Sequence, residues 1–210
     1  MKALLIVDMQ NDFMPLGALG VKGGNEIIPI INHLIPHFSL IVASKDWHPA
    51  DHVSFAKTHQ KKEGEVIEVK GRRQVLWPLH CLQHSHGAEI VQGLNQEMIL
   101  RFFHKGENKE IDSYSAFFDN QREKSTGLDE FLKSKGVNQI YLAGLTTDYC
   151  VKYTALDGCE LGYEVFVILD ACRPINLSPD DEKNAIDAMK GAGAHVIDSS
   201  AVLNFFLKTI

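Results

Sequence analysis

The sequence predicts an α/β fold: a three-layer, doubly wound sheet of about six mostly parallel strands with helices on both faces. Two observations support this fold class. Short β-branched apolar runs recur along the chain, and segments with helical periodicity separate most of them. Because this alternation implies right-handed crossovers between parallel strands, helices are expected to cover both faces of the sheet. The length of 210 residues fits one domain, residues 1–210.

The strands are predicted from apolar runs that end in polar or small residues. The first run, "KALLIVDM", is typical, because Asp8 closes it after five apolar residues. The predicted strands are Lys2–Met9, Leu40–Asp46, Met98–Gly106, Gln139–Gly144, Glu164–Ala171 and His195–Asp198. In the basic stretch Lys57–Arg73, glutamates are interleaved with the lysines, which favours a solvated loop with a short hairpin.

The helices are predicted from apolar spacing and from capping residues. In the first helix, Ile27, Ile31 and Leu34 recur on one face, and Asn25 is assigned as the N-cap. Ser178 is assigned the same role in the fourth helix. The predicted helices are Gly23–Phe38, Gly127–Gly136, Asp148–Gly162, Ser178–Gly193 and Ser199–Thr209.

The charge balance excludes several classes of partner. The net charge is −6 and no lysine and arginine stripe is present, so binding to nucleic acid or to an anionic membrane is not expected. No apolar run approaches the roughly 20 residues that cross a bilayer, and no signal peptide is evident. We therefore expect a cytoplasmic protein whose four cysteines are free thiols, with a homodimer as the default assembly.

Three chemically active residues follow three different predicted strands. Asp8 ends the first strand, Lys105 the third, and Cys150 comes a few residues after the fourth. Sites in doubly wound sheets form beyond the carboxyl ends of the strands, so these side chains are expected to converge. A lysine and a helix N-terminus lower the pKa of a thiol, and a carboxylate can exchange its proton. Each residue alone fits an ordinary structural role, but together they predict a nucleophilic catalytic centre.

The long, histidine-rich region after the second strand contains a candidate metal site. Asp46 and His48 form an Asp-x-His pair at the strand end, and His80 follows in "WPLHC". One carboxylate and two imidazoles make a set of ligands suited to Zn²⁺, Fe²⁺ or Mn²⁺. A loop region of this length inside a compact domain is usually functional.

Five motifs occur in order along the chain: "LLIVDMQNDF", "SKDWHPADHVSFA", "WPLHC", "HKG…DSYSAF" and "AGLTTDYCVKYTALDG". Together they resemble the nicotinamidase branch of the isochorismatase-like cysteine hydrolases over nearly the whole chain. The resemblance implies a catalytic triad of Asp8, Lys105 and Cys150. It also implies a non-proline cis peptide between Leu145 and Thr146, and an oxyanion hole made by the backbone N–H groups of Thr146 and Cys150.

The resemblance also implies a metal site and a substrate slot. Asp46, His48 and His80 would be the metal ligands, with zinc expected first and iron or manganese as alternatives. His52 is a candidate fourth ligand, and Ser54 a candidate contact of a metal-bound water. The aromatic slot for a flat heterocycle would be formed by Phe13, Trp77 and Tyr114, with Leu19 and Val21 as further wall residues.

The implied reaction is hydrolysis of nicotinamide, and of pyrazinamide as a second substrate, through a cysteine thioester. The products would be nicotinate and ammonia, in NAD salvage. Two alternatives stay open. One is another hydrolase of the superfamily, acting on a carbamoyl, ureido or isochorismate-type substrate. The other is a non-catalytic binding protein of the same fold.

Overall fold

The structure is a computed structural model that describes residues 1–207. Its strands are β1 (Lys2–Val7), β2 (Ile41–Asp46), β3 (Val66–Val69), β4 (Arg72–Val75), β5 (Arg101–Lys105), β6 (Gln139–Leu145), β7 (Glu164–Arg173) and β8 (His195–Ile197). Its α-helices are α1 (Ile28–Leu34), α2 (Leu128–Ser134), α3 (Lys152–Glu160), α4 (Asp181–Gly191) and α5 (Ser199–Leu207).

Within these residues, six strands form one sheet in the order β5-β2-β1-β6-β7-β8, and all its neighbouring strands are parallel. A separate antiparallel hairpin joins β3 and β4, as the interleaved charges indicated. The predicted fold class, a doubly wound α/β sheet, is therefore confirmed.

The two faces of the sheet carry two separate apolar cores. Along β1, Leu4 and Ile6 belong to one core, whereas Leu5 and Val7 belong to the other. Successive side chains of a strand point to opposite faces, so a strand covered on both sides must be apolar throughout. Buried residues of α1 and α5 pack into the first core, and those of α2, α3 and α4 into the second.

The first helix is shorter than the sequence indicated. Its α-helical part, α1, lies between 3-10 turns at Gly24–Ile27 and Ile35–His37. Pro29 is accommodated in the first turn of α1, and Pro36 lies in the turn that follows. Proline has no N–H and cannot continue the helical hydrogen-bond ladder, which explains why the helix is short.

Both predicted N-caps are wrong. Asn25 lies inside a 3-10 turn, and Ile27 precedes α1. The residue before α4 is Asp180, while the backbone N–H of Ser178 donates to the Asp181 carboxylate at 2.7 Å. In each case the helix starts two residues later than the predicted cap requires.

Several boundaries differ from the prediction by a few residues. The third strand of the prediction, β5, begins at Arg101 instead of Met98, and β7 continues to Arg173. The end of the last predicted helix, residues 208–209, lies outside the described residues. Among the described helices, none has the length and apolar character to cross a membrane.

Candidate active site

Four neighbouring strands place their carboxyl ends at one edge of the sheet. These are β5, β2, β1 and β6, and they deliver Lys105, Asp46, Asp8 and the turn that carries Cys150. Lys105 and Asp46 are direct partners across the β2–β5 pair. The strand order therefore brings together side chains from four distant parts of the sequence.

Asp8, Lys105 and Cys150 form one buried cluster, as predicted. The Lys105 Nζ atom lies 2.8 Å from Asp8 Oδ2 and 3.3 Å from Cys150 Sγ. It also forms an ion pair with Asp46. The second Asp8 oxygen, Oδ1, accepts a hydrogen bond of 2.7 Å from the Ser44 hydroxyl. One ammonium group is therefore shared by the triad and by the neighbouring carboxylate of Asp46.

Burial controls the electrostatics of this cluster. It raises the pKa of the Cys150 thiol well above the ordinary value, and Lys105 only partly opposes this effect. Burial also raises the pKa of Asp8, against Lys105 and the Ser44 hydrogen bond. The sequence-based expectation of a lowered Cys150 pKa is therefore wrong, because desolvation of the thiolate outweighs the nearby cation.

The pKa shifts of Lys105 and Asp46, by contrast, favour their charged forms. Burial disfavours the charged form of Lys105, but Asp46 and Asp8 outweigh it and hold the lysine pKa well above its ordinary value. Burial disfavours the Asp46 carboxylate as well, but Lys105 and His48 keep its pKa well below the usual range. Lys105 and Asp46 therefore stay charged at neutral pH.

The turn after β6 presents Cys150. The peptide between Leu145 and Thr146 is cis, as the resemblance implied. A π-helical turn at Thr147–Val151 then leads into α3. Asp148, which had no role in the sequence interpretation, accepts hydrogen bonds from the backbone N–H groups of Ile175 and Asn176, at 3.0 and 2.8 Å. It thereby fixes the loop after β7 against the nucleophile turn.

Asp46, His48 and His80 converge beside the triad. All three are buried, and one potential ligand atom from each lies within 4.8 Å of the other two. The Nε2 atoms of His48 and His80 are each 3.6 Å from Asp46 Oδ2. The sequence-predicted metal ligands therefore meet at one point.

The hydrogen bonds of the two imidazoles fit a metal site. His48 Nδ1 lies 3.0 Å from the carbonyl oxygen of Gly106, and His80 Nδ1 lies 2.9 Å from that of Pro78. A carbonyl can only accept, so each Nδ1 carries the proton. In the neutral ring the lone pair is then on Nε2, the atom that faces Asp46. Carbonyls that orient ligating histidines in this way are typical of metal centres.

His52 and Ser54 lie apart from this trio. The His52 Nδ1 atom is 2.7 Å from the Ser54 hydroxyl oxygen. The ring of His52 packs against that of His48, and His52 forms a second cluster of potential ligands with His48 and Asp112. The ligand group around Asp46 does not include it. The roles of His52 as a metal ligand and of Ser54 as a contact of a metal-bound water stay predictions.

A cavity next to Cys150 contains the predicted aromatic residues. Its free volume is about 20 Å³, room for about one water molecule. Predicted site residues in its wall are Phe13, Leu19, Asp46, His48, Trp77, His80, Tyr114, Thr146 and Cys150. Val21 packs in the first core and is not among the residues of this wall, so its role stays a prediction.

Sequence reasoning missed four residues in the wall of this cavity, which are Asp112, Ser113, Tyr149 and Ile175. Asp112 accepts from the Gln74 amide at 2.7 Å, and the Tyr114 hydroxyl lies 3.3 Å from both Gln74 Nε2 and Trp77 Nε1. The buried acid in "DSYSAF" was a signal that could have identified Asp112. Tyr149 and Ile175 carried no comparable signal.

Comparisons with known proteins identify the family of this chain. The isochorismatase domain family matches residues 2–201. A nicotinamidase from Escherichia coli (strain K12) is 46% identical over 197 residues, which is 92% of each chain. A solved nicotinamidase and pyrazinamidase from Acinetobacter baumanii is 41% identical and superposes with a TM-score of 0.93, covering 96% of this chain and 97% of that one.

A third relative is described with a metal. The solved pyrazinamidase of Pyrococcus horikoshii in complex with zinc is 37% identical, with a TM-score of 0.77, over 94% of this chain and 98% of that one. Fold and site together define a hydrolase with a buried cysteine. The chain belongs to the isochorismatase family and, within it, to the nicotinamidases, which are amidohydrolases.

Proposed function

We propose that this protein is a metal-dependent nicotinamidase that converts nicotinamide to nicotinate and ammonia, in NAD salvage. One observation carries the proposal. The cluster of Asp8, Lys105 and Cys150 and the trio of Asp46, His48 and His80 meet at one cavity with aromatic walls. A thiol, a base and a metal site beside an apolar slot suit hydrolysis of a small heteroaromatic amide.

Asp46, His48 and His80 would hold the metal ion, with zinc as the first choice. When bound, the ion supplies a contact for the ring nitrogen of the substrate, which orients the carboxamide toward Cys150. Phe13, Trp77 and Tyr114 would hold the faces and edge of the ring. Pyrazinamide has the same carboxamide and a ring nitrogen at the same place, so it is the second proposed substrate.

In the first half-reaction, Asp8 takes the proton of the Cys150 thiol as the sulfur attacks the carboxamide carbon. Because burial raises the pKa of Cys150, the attack needs a base beside the sulfur, and Asp8 is proposed for this role. The backbone N–H groups of Thr146 and Cys150 are proposed to stabilise the oxyanion. Asp8 then gives the proton to the departing ammonia, and a thioester on Cys150 remains.

In the second half-reaction, Asp8 takes a proton from a water molecule that attacks the thioester carbon. The C–S bond breaks, nicotinate leaves, and the proton returns to the sulfur of Cys150. Throughout, the Lys105 ammonium favours the ionised form of Asp8 and stabilises the thiolate, because it lies within 3.3 Å of both groups.

The proposal is tested by ammonia release from nicotinamide, pyrazinamide and a panel of carbamoyl and ureido compounds, with protein of measured metal content. We expect nicotinamide to be the preferred substrate. The Cys150→Ala variant should lose at least about 10³-fold in kcat. A matched control is Cys159→Ala, which removes a half-buried thiol from α3 and should leave the rate unchanged.

Mass spectrometry of the quenched reaction should find one nicotinoyl group on Cys150. Substantial ammonia release by Cys150→Ala would contradict the thioester mechanism. Preference for a ureido or carbamoyl compound would favour the rival amidohydrolase. If Cys150 resists alkylation and no amide is hydrolysed, the protein is a binding protein of the same fold.

The proposal also covers the number of domains, the cellular compartment and the oligomeric state of the protein. The family match over residues 2–201 supports a single domain. Among the described residues the four cysteines are free thiols, and a cytoplasmic location stays a prediction. A homodimer remains a prediction, to be tested by light scattering.

A further inference from the structure

Two side chains from the turn after β1 contact both arms of the proposed metal site. By arms we mean the backbone segments that carry its ligands, one at Asp46 and the other at His80 and Cys81. We propose that Gln10 and Asp12 are positioning residues, which hold the backbone segments that present Asp46 and His80. The inference rests on the proposed function, since it concerns the same metal site. It adds two residues that neither bind the ion nor touch the substrate.

The Gln10 carboxamide forms three hydrogen bonds, all of them with backbone groups. Its Nε2 atom donates to the carbonyl oxygens of Asp46 and Ala88, at 2.8 and 3.0 Å, and its Oε1 atom accepts from the Asp46 N–H at 2.8 Å. The side chain is completely buried. Gln10 therefore pairs with both the N–H and the C=O of Asp46, as a neighbouring strand would.

This pairing is needed because β1 cannot supply it. The β1–β2 register runs from Leu4 opposite Ile41 to Ile6 opposite Ala43. Asp8 then adopts a positive φ of 49°, which ends the extended conformation of β1. Beyond that point the side chain of Gln10 takes over the contact with β2, at the residue that ends the strand and offers the carboxylate ligand.

Asp12 makes the corresponding contact on the other arm. Its Oδ2 atom accepts a hydrogen bond of 2.7 Å from the N–H of Cys81, the residue that follows His80. Cys81 has a positive φ of 46°, so the chain turns sharply there. The Cys81 carbonyl in turn accepts the N–H of His48 at 3.0 Å. One residue, Cys81, therefore connects Asp12 with the backbones of both histidines.

The packing around Asp12 leaves its carboxylate little freedom. A Cβ atom on Gly87 would fall directly on this carboxylate, so the two chain segments are in contact. Groups that orient ligands from outside the coordination shell typically change metal affinity by about 10- to 100-fold. Gln10 and Asp12 act one step further out, on the backbone, so we expect effects near the lower end of that range.

The test measures Zn²⁺ affinity by competition with a chromogenic chelator. Gln10→Met keeps the length and volume of the side chain but removes its hydrogen bonds. Asp12→Leu likewise removes the acceptor, whereas Asp12→Asn retains an oxygen that can accept the Cys81 N–H. We expect Gln10→Met and Asp12→Leu to weaken zinc binding by about 10-fold or more, and Asp12→Asn to restore most of it.

The matched control is Asn11→Ala, between the two positions. The Asn11 amide donates to the carbonyl of His86 at 2.8 Å and contacts neither arm of the metal site. Its zinc affinity should equal that of the wild type. Thermal unfolding of each metal-free variant separates a general loss of stability from a loss of zinc affinity, because only the second reduces the stabilisation that added zinc produces.

Unchanged zinc affinity in folded Gln10→Met and Asp12→Leu would overturn the inference while leaving the proposed function intact. Equal losses in Asp12→Asn and Asp12→Leu would overturn it for Asp12. If the wild type binds no Zn²⁺, both the metal-dependent function and this inference are overturned. Normal zinc affinity with no ammonia release would overturn only the proposed reaction.

Discussion

Gly106 lies directly against the ring of His48 and has a φ of +70°. An added Cβ atom would collide with the His48 ring, and an L side chain is strained at that φ. We therefore predict that Gly106→Ala lowers zinc affinity at least about 10-fold. The measurement is the same chelator competition, together with thermal unfolding of the metal-free protein.

A second glycine separates the effect of the collision with His48 from the effect of backbone strain at a positive φ. Gly71, in the turn between β3 and β4, has a φ of +78° and nothing near its missing Cβ atom. Gly71→Ala should therefore lower the free energy of unfolding by about 1 kcal/mol and leave zinc affinity unchanged. Equal zinc affinity in both variants would mean that the contact with His48 does not matter.

Ser44 supports the proposed base through a single hydrogen bond. Its hydroxyl donates to Asp8 Oδ1 at 2.7 Å and favours the ionised carboxylate, so its loss raises the pKa of Asp8. In Ser44→Ala, a smaller fraction of the protein therefore has an ionised Asp8 at a given acidic pH. The acidic limb of the kcat/KM profile should therefore move to higher pH, by about one unit.

The profile is measured for ammonia release across acidic and neutral pH. Ser134→Ala is the control, because its exposed hydroxyl on α2 only contacts the carbonyl of Phe131. An acidic limb in Ser44→Ala that coincides with the wild type would show that Asp8 is not the group titrating there.

Residue types explain which site positions were predictable. Asp8, Lys105 and Cys150 carry distinctive chemistry and follow predicted strands, so the sequence identified them. Ser44 and Gln10 carry common polar groups, and their importance depends on which atoms the fold brings within 3 Å. The direction of the Cys150 pKa shift was missed for a related reason, since burial is a property of the folded chain.

At the scale of elements, a hydrogen bond joins α3 to the loop that carries Tyr114. The Thr154 hydroxyl oxygen accepts the N–H of Ala116 at 2.9 Å, and Thr154 is completely buried. Thr154→Val would leave that N–H without its partner. We predict a loss of about 1–3 kcal/mol in the free energy of unfolding, measured by urea denaturation.

Thr154→Ser is the control, because it keeps the hydroxyl and removes only a methyl group. It should be more stable than Thr154→Val despite its smaller volume. If valine is the more stable of the two, packing and not the hydrogen bond holds α3 to the loop.

The strands were more predictable than the helices, for a physical reason. A strand buried on both faces needs a continuous apolar run, and such runs are visible in the sequence as β1, β2, β6 and β7. Helix starts depend on local hydrogen bonds that several polar residues can satisfy. Before α4, Asp180 precedes the helix without a capping bond from its side chain, while the Asp181 carboxylate accepts the N–H of Ser178.

At the scale of the whole molecule, the proposed metal site connects the sheet with the long region after β2. Asp46 ends β2, whereas His48 and His80 lie in that region. Metal removal should therefore increase backbone hydrogen exchange mainly in residues 47–94, while β1 and β6 stay protected. Hydrogen-exchange mass spectrometry with zinc and with a chelator checks this.

His48→Ala provides the control, since zinc should then give little protection to residues 47–94. An equal change across the whole sheet in the wild type would show that the ion stabilises the fold as a unit. The irregular path of this region was not predictable, because its turns are fixed by contacts such as the bridge between Phe55 and Trp77.

The position of β1 has a consequence for synthesis on the ribosome. β1 is the first strand to be made, yet it pairs on one side with β6, which begins at Gln139. At typical rates of translation that partner follows on the order of 10 s later. During this interval β1 has an open edge of unpaired backbone N–H and C=O groups, beside the apolar side chains of Ala3–Val7, of the kind that invites pairing with other chains. Newly made chains shorter than about 145 residues are therefore the form of this protein most in need of a chaperone.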